Sequence, residues 1–324
     1  MKALQAARLD TIDDYREVDL PTPEPGAGQV RIKVAACGVG YVDALVSLGR
    51  YQVKPPLPHT PGGEVGGTID ALGDGVDHLA VGDRVMAQVG GGFAEYALAS
   101  AQAVVRIPAA MSFEQASGFR INHLTALHGL RDRAGLQAGE QLLVTGAAGG
   151  VGMAALQVGK LMGARVIAAA STEEKRAFAL ANGADLAIDT APDGWRDRLK
   201  ALTGGKGVDV VFDPTCGPLF ELAFRSLAWR GRHLVVGFAG GPIPALPANL
   251  PLMKGAAMVG VDVRQFSLFE PETAATYLQE LLDWVADGRL IPPTGRAFAF
   301  DQAREALTFA LSGAGLGKTV LTIG

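Results

Sequence analysis

Cysteine and long apolar runs are scarce in this chain. Cys37 and Cys216 are the only cysteines among 324 residues, too few for the disulfide framework of a secreted scaffold or for a cysteine-rich metal lobe. No stretch of about 18 or more consecutive apolar residues occurs, as a membrane-spanning helix would need. The first ten residues lack the apolar core of a secretory signal. We therefore expect a cytoplasmic protein that contacts no membrane.

An excess of basic residues is also missing. The chain has 29 Lys and Arg against 33 Asp and Glu, a formal net charge of −4, and its basic residues are scattered. This balance argues against nucleic acid as a partner, since a phosphate backbone is bound by clustered positive charge. Apolar residues make up 48% and charged residues 19% of the chain, which is typical of globular proteins. The length favours two domains.

The region from Met1 to about Ile107 contains short β-type runs separated by clusters of proline and glycine. Such punctuation predicts a compact, turn-rich β domain. The predicted strands are Val30–Ala36, Gly66–Ala71, Asp83–Val89 and Val104–Ile107.

From Glu140 onward, continuous apolar runs alternate with amphipathic segments of helical period. This alternation is typical of βαβ units and predicts a doubly wound parallel sheet. The predicted strands are Gln141–Thr145, Arg165–Ala170, Leu186–Asp189, Asp209–Asp213 and His233–Gly237, and the predicted helices are Val151–Met162, Thr172–Ala181 and Leu219–Ala228.

The last part of the chain predicts two helices and a closing strand. The first helix is Glu272–Ala286, with Gly288 as its stop signal, and the second is Gln302–Leu311 after Asp301 as N-cap. The strand Thr319–Ile323 has no partner nearby in sequence. We expect it to return to the N-terminal β domain.

A glycine-rich segment follows the strand Gln141–Thr145 directly and opens a helix. Gly146, Gly149, Gly150 and Val151 are the candidate contacts to a dinucleotide, because glycines let the backbone approach a pyrophosphate at a helix N-terminus. Ala147 departs from the G-x-G-x-x-G pattern. A tight β–α turn without a ligand is the alternative interpretation.

The strand Arg165–Ala170 lacks the terminal Asp or Glu that would accept the ribose 2′-hydroxyl of NAD. It is followed by Ser171, with Lys175 and Arg176 close behind. A hydroxyl and nearby cations suit a 2′-phosphate and favour NADPH over NADH. Ser171 with Glu174 also fits a capping box, which leaves the cations as solvated helix positions.

Seven glycine-containing motifs are spread over nearly the whole chain: Cys37–Asp43, Pro61–Gly67, Val81–Val85, Leu136–Glu140, Gly146–Gly152, Gly204–Asp209 and Gly237–Gly241. Together they resemble the medium-chain dehydrogenase/reductase superfamily, and within it the zinc-independent quinone oxidoreductases of the zeta-crystallin-like branch. The resemblance implies an α/β protein with a GroES-like β domain, residues 1–121 completed by 265–324, and a Rossmann domain, residues 122–264. It also implies a cofactor between the two domains and a homodimer paired through a Met258–Val261 edge strand.

Zinc-dependent relatives hold their catalytic metal with residues at three places. By resemblance these places are Gly40, Gly63 and Ile121, none of which can ligate zinc. His59, Cys37 and Glu64 lie near one another in sequence but offer no matched set of ligands. We expect no metal.

Without a Lewis acid, alcohol oxidation needs another group to stabilise the alkoxide, whereas a quinone or enone is already electrophilic. We therefore expect an NADPH-dependent reductase that transfers hydride to a quinone or an α,β-unsaturated carbonyl. The alternatives are an enoyl-thioester reductase and an NADPH-binding protein with little turnover.

The resemblance also suggests individual site residues. Tyr41 and Tyr51 are the candidate catalytic hydroxyls, although packing alone explains many tyrosines. Gly40, where relatives often carry Asn, is a candidate for acceptor contact together with Arg120 and Asn122. The remaining candidate cofactor contacts are Thr125, Gly237, Phe238 and Lys318, the last of which equally suits a solvated surface position. His123 favours a structural histidine, Cys216 a small hydrophobe, and Thr190 stands where relatives often have Tyr.

Overall fold

The computed structural model describes all 324 residues. They form two compact units, Met1–Arg120 with Trp284–Gly324 and Ile121–Asp283. The domain limits drawn from the sequence, 1–121 with 265–324 and 122–264, stay a prediction. Residues 265–283 pack with the second unit.

Fifteen strands and eleven α-helices make up the chain. Before residue 120 these are β1 (Lys2–Gln5), β2 (Arg16–Asp19), β3 (Gln29–Val39), α1 (Tyr41–Ser47), β4 (Glu64–Leu72), β5 (Arg84–Gln88), β6 (Tyr96–Ser100), β7 (Val104–Arg106) and α2 (Phe113–Ala116). Next come α3 (Arg120–His128), β8 (Gln141–Val144), α4 (Gly150–Leu161), β9 (Arg165–Ala169), α5 (Glu173–Ala181), β10 (Leu186–Ile188), α6 (Trp195–Leu202), β11 (Val208–Asp213), α7 (Phe220–Arg225), β12 (Leu227–Val235), α8 (Asn249–Lys254), β13 (Ala257–Gly260), α9 (Val263–Phe269) and α10 (Pro271–Ala286). The last elements are β14 (Thr294–Ala299), α11 (Ala303–Ser312) and β15 (Lys318–Thr322).

The first unit is built on a seven-stranded sheet in the order β14-β15-β3-β4-β5-β7, with β6 also pairing with β3. Along β3 the side chains of Val30, Ile32 and Val34 are buried while Lys33 is exposed, as the two-residue period of a strand requires. The closing strand β15 pairs antiparallel with β3, Thr319 opposite Val39. The predicted return of this strand to the N-terminal β domain is confirmed.

The second unit contains a six-stranded sheet in which every neighbouring pair is parallel. Its order is β10-β9-β8-β11-β12-β13, which is the doubly wound order of dinucleotide-binding folds. The predicted α/β fold class is confirmed. The strand order reverses between β8 and β11, and ligands in such sheets bind at the carboxyl ends of the strands beside this point.

Three predicted elements have clearly different boundaries. The predicted strand His233–Gly237 is the end of a longer strand, β12, which begins at Leu227 and ends at Val235. The predicted helix Leu219–Ala228 is shorter, because Leu227 already pairs with Val208 as the first residue of β12. The predicted N-cap Asp301 is wrong, since Asp301 lies in a 3-10 turn that precedes α11. The Gln302 side chain accepts the backbone N–H of Ala299 in that turn, which delays the start of the helix.

Other boundaries follow the sequence. Gly288, with a φ of +70°, ends the turn after α10 as predicted. The strand predicted at Met258–Val261 is β13, an edge strand that pairs with β12 only. The homodimer expected from this edge stays a prediction. No helix in the structure has both the length and the apolar character needed to cross a membrane.

The two phenylalanines Phe224 and Phe269 provide a matched test of packing in the second unit. Phe224 is fully buried, whereas Phe269 is 76% exposed. Replacing Phe224 with Ala removes a buried ring and should lower the free energy of unfolding by about 3–5 kcal/mol. Phe269→Ala should change it by no more than about 0.5 kcal/mol. Urea denaturation followed by circular dichroism measures both, and equal losses would contradict this packing.

Candidate functional site

The loop between β8 and α4 packs closely against its surroundings. Gly146 has a φ of +54°, and a Cβ on it would lie 2.7 Å from the Cγ2 of Thr215. A Cβ on Gly152, in the first turn of α4, would overlap the carbonyl oxygen of Gly146. These glycines are therefore required for the helix to start directly over the loop.

The start of α4 presents backbone donors rather than a capping side chain. Gly149 is the N-cap, is exposed, and supplies no side-chain cap, while Gly150 and Val151 are half-buried. The first N–H groups of an α-helix have no intrahelical acceptor, and in this 12-residue helix they coincide with the positive end of the helix dipole. This donor set fits the pyrophosphate of a dinucleotide.

A buried carboxylate links the carboxyl ends of β8, β11 and β12. The Oδ1 atom of Asp213 accepts hydrogen bonds from the hydroxyls of Thr145 and Thr215 and from the backbone N–H of Cys216, the last at 2.8 Å. Its Oδ2 atom lies 3.1 Å from the Nε2 atom of His233. The loop after β11 is therefore tied to both neighbouring strands beside the switch point.

These contacts change the ionisation of the cluster. Burial alone would raise the pKa of Asp213, but the hydrogen bond from His233 and those from Thr145 and Cys216 outweigh it and lower the pKa to about 2. The stabilisation is present above the ordinary value of 3.8 and is lost as pH falls towards about 2. Burial raises the pKa of the Cys216 thiol to about 12, so this cysteine is a protonated thiol at neutral pH.

Gly237 and Phe238 follow β12 at the same end of the sheet. A Cβ on Gly237 would lie 3.0 Å from the carbonyl oxygen of Pro214, and the backbone N–H of Val236 donates to the Asp213 carbonyl at 3.0 Å. The Phe238 side chain is 43% exposed. Both residues therefore lie beside the loop that Asp213 holds. This is the carboxyl end of the parallel strands, where ligands bind in such sheets.

The turn between β9 and α5 corrects the expected capping box. The N-cap is Thr172, whose hydroxyl accepts the N–H of Lys175 at 3.2 Å. The Arg176 guanidinium donates to the carbonyl oxygens of Ala170 and Ser171, so it braces the turn and is not a solvated position. The Ser171 side chain is exposed and takes no part in the cap.

Helix α3 contributes two predicted residues that are almost fully buried. Asn122 lies against the start of α4, since a Cβ on Gly150 would come within 2.7 Å of the Asn122 Nδ2 atom. The Thr125 hydroxyl donates to the carbonyl oxygen of Ile121 at 2.6 Å. Asn122 is thus placed beside the glycine loop, while the Thr125 hydroxyl is used within its own helix.

The remaining residues of this stretch have structural partners. The Nε2 atom of His123 lies 3.5 Å from Oε1 of Gln157. Elsewhere in this unit, Thr190 follows β10 and is half-buried. The Arg120 guanidinium donates to the carbonyl oxygen of Ala103 at 2.9 Å, and burial lowers its pKa. These contacts support the structural interpretation of His123.

Two of the three positions that by resemblance correspond to zinc ligands are glycines of the first unit. A Cβ on Gly40 would lie 3.1 Å from both Oδ2 of Asp43 and Nζ of Lys318, and one on Gly63 would lie 3.9 Å from Oδ1 of Asp43. The third place, Ile121, lies in α3. The structure contains no group of three or more His, Cys, Asp or Glu side chains arranged to hold a metal ion.

The other polar candidates of the first unit lie near α1. Tyr41 is the first residue of α1, Tyr51 follows the helix, and both are half-buried. His59 is bonded elsewhere, its Nδ1 atom 2.6 Å from the Tyr15 hydroxyl. Cys37 is fully buried, and burial raises the pKa of its thiol well above the ordinary value.

Sequence reasoning did not identify Asp213 and His233 as a pair. A signal was present, since an aspartate ends the apolar strand β11 and a histidine interrupts the apolar strand β12. Buried Asp and His side chains require polar partners. Their register across two parallel strands was needed to show that they are each other's partner.

Comparison with known proteins places these features in a family. Residues 26–109 match the family described as alcohol dehydrogenase GroES-like domain, and residues 150–285 match the family described as zinc-binding dehydrogenase. The chain is 36% identical over 304 residues to a quinone oxidoreductase-like protein 2 homolog of Nematostella vectensis, covering 93% of this chain and 83% of that protein.

Two further proteins are similar over nearly their whole length. Human quinone oxidoreductase is 34% identical over 308 residues, 94% of this chain and 92% of that protein. A mycobacterial structure complexed with NADPH has a TM-score of 0.91 and 30% identity, with all of both chains covered. With these matches joined to its doubly wound sheet and glycine loop, the chain belongs to the medium-chain dehydrogenase/reductase superfamily, in its quinone oxidoreductase-like branch.

Proposed function

We propose that this protein binds NADPH and reduces a quinone or an α,β-unsaturated carbonyl compound without a catalytic zinc ion. The observation that carries the proposal is the presence of glycine at positions 40 and 63 in a chain that retains the dinucleotide loop. Glycine has no side chain to ligate zinc. The similarity to quinone oxidoreductases and to a structure complexed with NADPH supports the same function.

The second unit holds the cofactor through its backbone. The amides of Gly150 and Val151 bind the pyrophosphate at the start of α4. The Gly149 amide donates to the Gly146 carbonyl at 3.0 Å, so Gly149 contacts the cofactor through its exposed backbone without that donor, and the close packing of Gly146 keeps the loop in place.

Gly237 and Phe238 after β12 contact the rest of the cofactor. Thr125 in α3 can contribute only as an acceptor, because its hydroxyl donates to the carbonyl oxygen of Ile121. Bound NADPH supplies the hydride.

The turn after β9 selects the phosphorylated cofactor. Because Thr172 caps α5, the exposed Ser171 hydroxyl remains to donate to a 2′-phosphate. Lys175, in the first turn of α5, adds a positive charge, and hydrogen bonds between charged groups are about twice as strong as neutral ones. The first turn of α5 also carries the exposed carboxylates of Glu173 and Glu174, so binding of a 2′-phosphate depends on Ser171 and Lys175 outweighing their repulsion.

A conjugated acceptor suits this site because glycine occupies two positions where zinc-dependent relatives carry a metal ligand. Reduction of a quinone or enone needs only an oriented acceptor and a donor to the oxygen on which negative charge develops. The hydroxyls of Tyr41 and Tyr51 are candidate donors. Gly40, Arg120 and Asn122 are the candidate acceptor contacts.

Metal-stripped protein tests the function. In the presence of a chelator, the absorbance of NADPH at 340 nm should fall with quinones and enones and stay constant with simple alcohols and NADP⁺. NADPH alone should be stable, and NADH should react more slowly. Turnover that requires added zinc would contradict the proposal. Preference for enoyl thioesters would indicate the alternative reductase, and tight NADPH binding with no turnover would indicate a binding protein.

The cofactor preference has a sharp mutational test. Ser171→Ala should raise the KM for NADPH about tenfold or more, because a hydrogen bond to a charged group contributes about 1.5–3 kcal/mol. It should leave the KM for NADH and the melting temperature unchanged, because Ser171 does not cap α5.

Thr172→Ala is the matched control for this turn. It removes the cap and should cost about 1 kcal/mol of stability. Initial rates with each cofactor, and thermal denaturation of each variant, measure these effects. An equal rise in the KM for NADPH and NADH in Ser171→Ala would show that Ser171 contacts no 2′-phosphate.

A further inference from the structure

One face of the sheet in the second unit carries a polar pair inside an apolar core. His233 in β12 is opposite Val211 in the parallel register with β11, so it lies on the same face as Asp213, two residues further along β11. The His233 side chain is fully buried. The rings of Phe220 and Phe224 lie with their centroids 4.8 and 6.0 Å from the imidazole. Helix α7 therefore covers this face of the sheet over the pair.

The imidazole of His233 makes a single hydrogen bond. Its Nε2 atom lies 3.1 Å from the Oδ2 atom of Asp213, whereas its Nδ1 atom is buried without a hydrogen-bond partner. An ionised carboxylate can only accept, so Nε2 is the donor. A buried polar nitrogen without a partner costs free energy, and the bond to Asp213 is the one polar contact of this side chain that offsets the cost.

The two carboxylate oxygens of Asp213 have different partners. Oδ1 accepts from the Thr145 hydroxyl, from the backbone N–H and the hydroxyl of Thr215, and from the backbone N–H of Cys216. Oδ2 accepts from His233. Because the torsion that turns a carboxyl group about its Cβ–Cγ bond is soft, the bond to Oδ2 fixes Oδ1 in the direction of the loop after β11.

The loop that Asp213 holds contacts both candidate cofactor segments. On one side, a Cβ on Gly146, in the loop before α4, would lie 2.7 Å from the Cγ2 atom of Thr215. On the other side, backbone N–H groups at the two ends of segment 236–240 donate to the carbonyl oxygens of Asp213 and Thr215, at 3.0 and 2.8 Å. This segment contains the candidate contacts after β12. A shift of Thr215 would therefore move the glycine loop and segment 236–240 together.

We propose that His233 is a positioning residue for the cofactor and acts through Asp213 on the glycine loop and on segment 236–240. This inference rests on the proposed function. A fully buried side chain cannot contact the cofactor directly, so His233 affects the part that NADPH and NADH share and neither the 2′-phosphate nor the hydride transfer. Its loss should raise the dissociation constants for both cofactors by the same factor.

His233→Leu keeps an apolar side chain in the core and removes the donor to Asp213. We expect the dissociation constants for NADPH and NADH, measured by nicotinamide fluorescence, to rise about tenfold, the scale of one hydrogen bond to a charged group. At saturating NADPH, kcat for an enone should change less than about threefold, as for a loss of uniform binding. His233→Gln supplies an N–H donor again and should return both dissociation constants to within about threefold of wild type.

Leu199→Ala is the matched control for stability. Leu199 is fully buried in the same core, on α6, and has no bond to the Asp213 cluster. Its truncation should lower the melting temperature and leave both dissociation constants unchanged. Thermal denaturation of every variant therefore separates a loss of stability from a loss of cofactor affinity.

Thr145→Val is a second variant in case His233→Leu does not fold. It keeps the branched shape of a buried side chain and removes one hydroxyl donor to Asp213, so both dissociation constants should rise about threefold or more. Unchanged constants in this variant would overturn the inference, because the cluster would then not position the cofactor.

Three other results would also overturn it: unchanged dissociation constants in folded His233→Leu, a rise for NADPH alone, or an equal rise in Leu199→Ala. The dissociation constants are measurable whether or not an acceptor is turned over. If wild type binds NADPH and reduces enones while the variants match it, this inference fails alone. If wild type does not bind NADPH, the proposed function itself fails.

Discussion

The buried carboxylate of Asp213 fixes the geometry at the centre of the second unit. Thr145 at the end of β8, His233 in β12 and the loop after β11 all bond to it, so three neighbouring strands end in one hydrogen-bonded cluster. A buried carboxylate without partners would cost several kcal/mol, and here it is fully bonded. The loop it holds packs against Gly146 and Gly237, and the surface offered to a dinucleotide depends on it.

Glycine allows close packing in both units. In the second unit its absence of a side chain lets α4 begin directly over the loop. In the first unit Gly38, Gly40 and Gly118 make room for the stem and ammonium group of Lys318. In both units a neighbouring group occupies the space that a side chain on glycine would need. In the second unit this group is the loop backbone, and in the first unit it is largely the Lys318 side chain.

The sequence predicted much of this structure for physical reasons. Strands buried on both faces are continuous apolar runs, and β8, β9 and β11 were therefore found close to their observed limits. The N-cap of α5 was misplaced by one residue because Ser171 and Thr172 are both good caps, and only backbone geometry distinguishes them. The Asp213–His233 pair and the packing of Lys318 against glycines depend on contacts between distant segments. No local pattern encodes such contacts.

We propose that hydride passes directly from the nicotinamide to a conjugated carbon without a metal. A single turnover of metal-stripped protein with NADPH deuterated at the transferred position of C4 tests it, using an enone and product analysis by mass spectrometry and NMR. The account predicts one deuterium at the carbon β to the carbonyl and a solvent proton at the α carbon. Deuterium on the carbonyl carbon, or transfer only after zinc is restored, would contradict it.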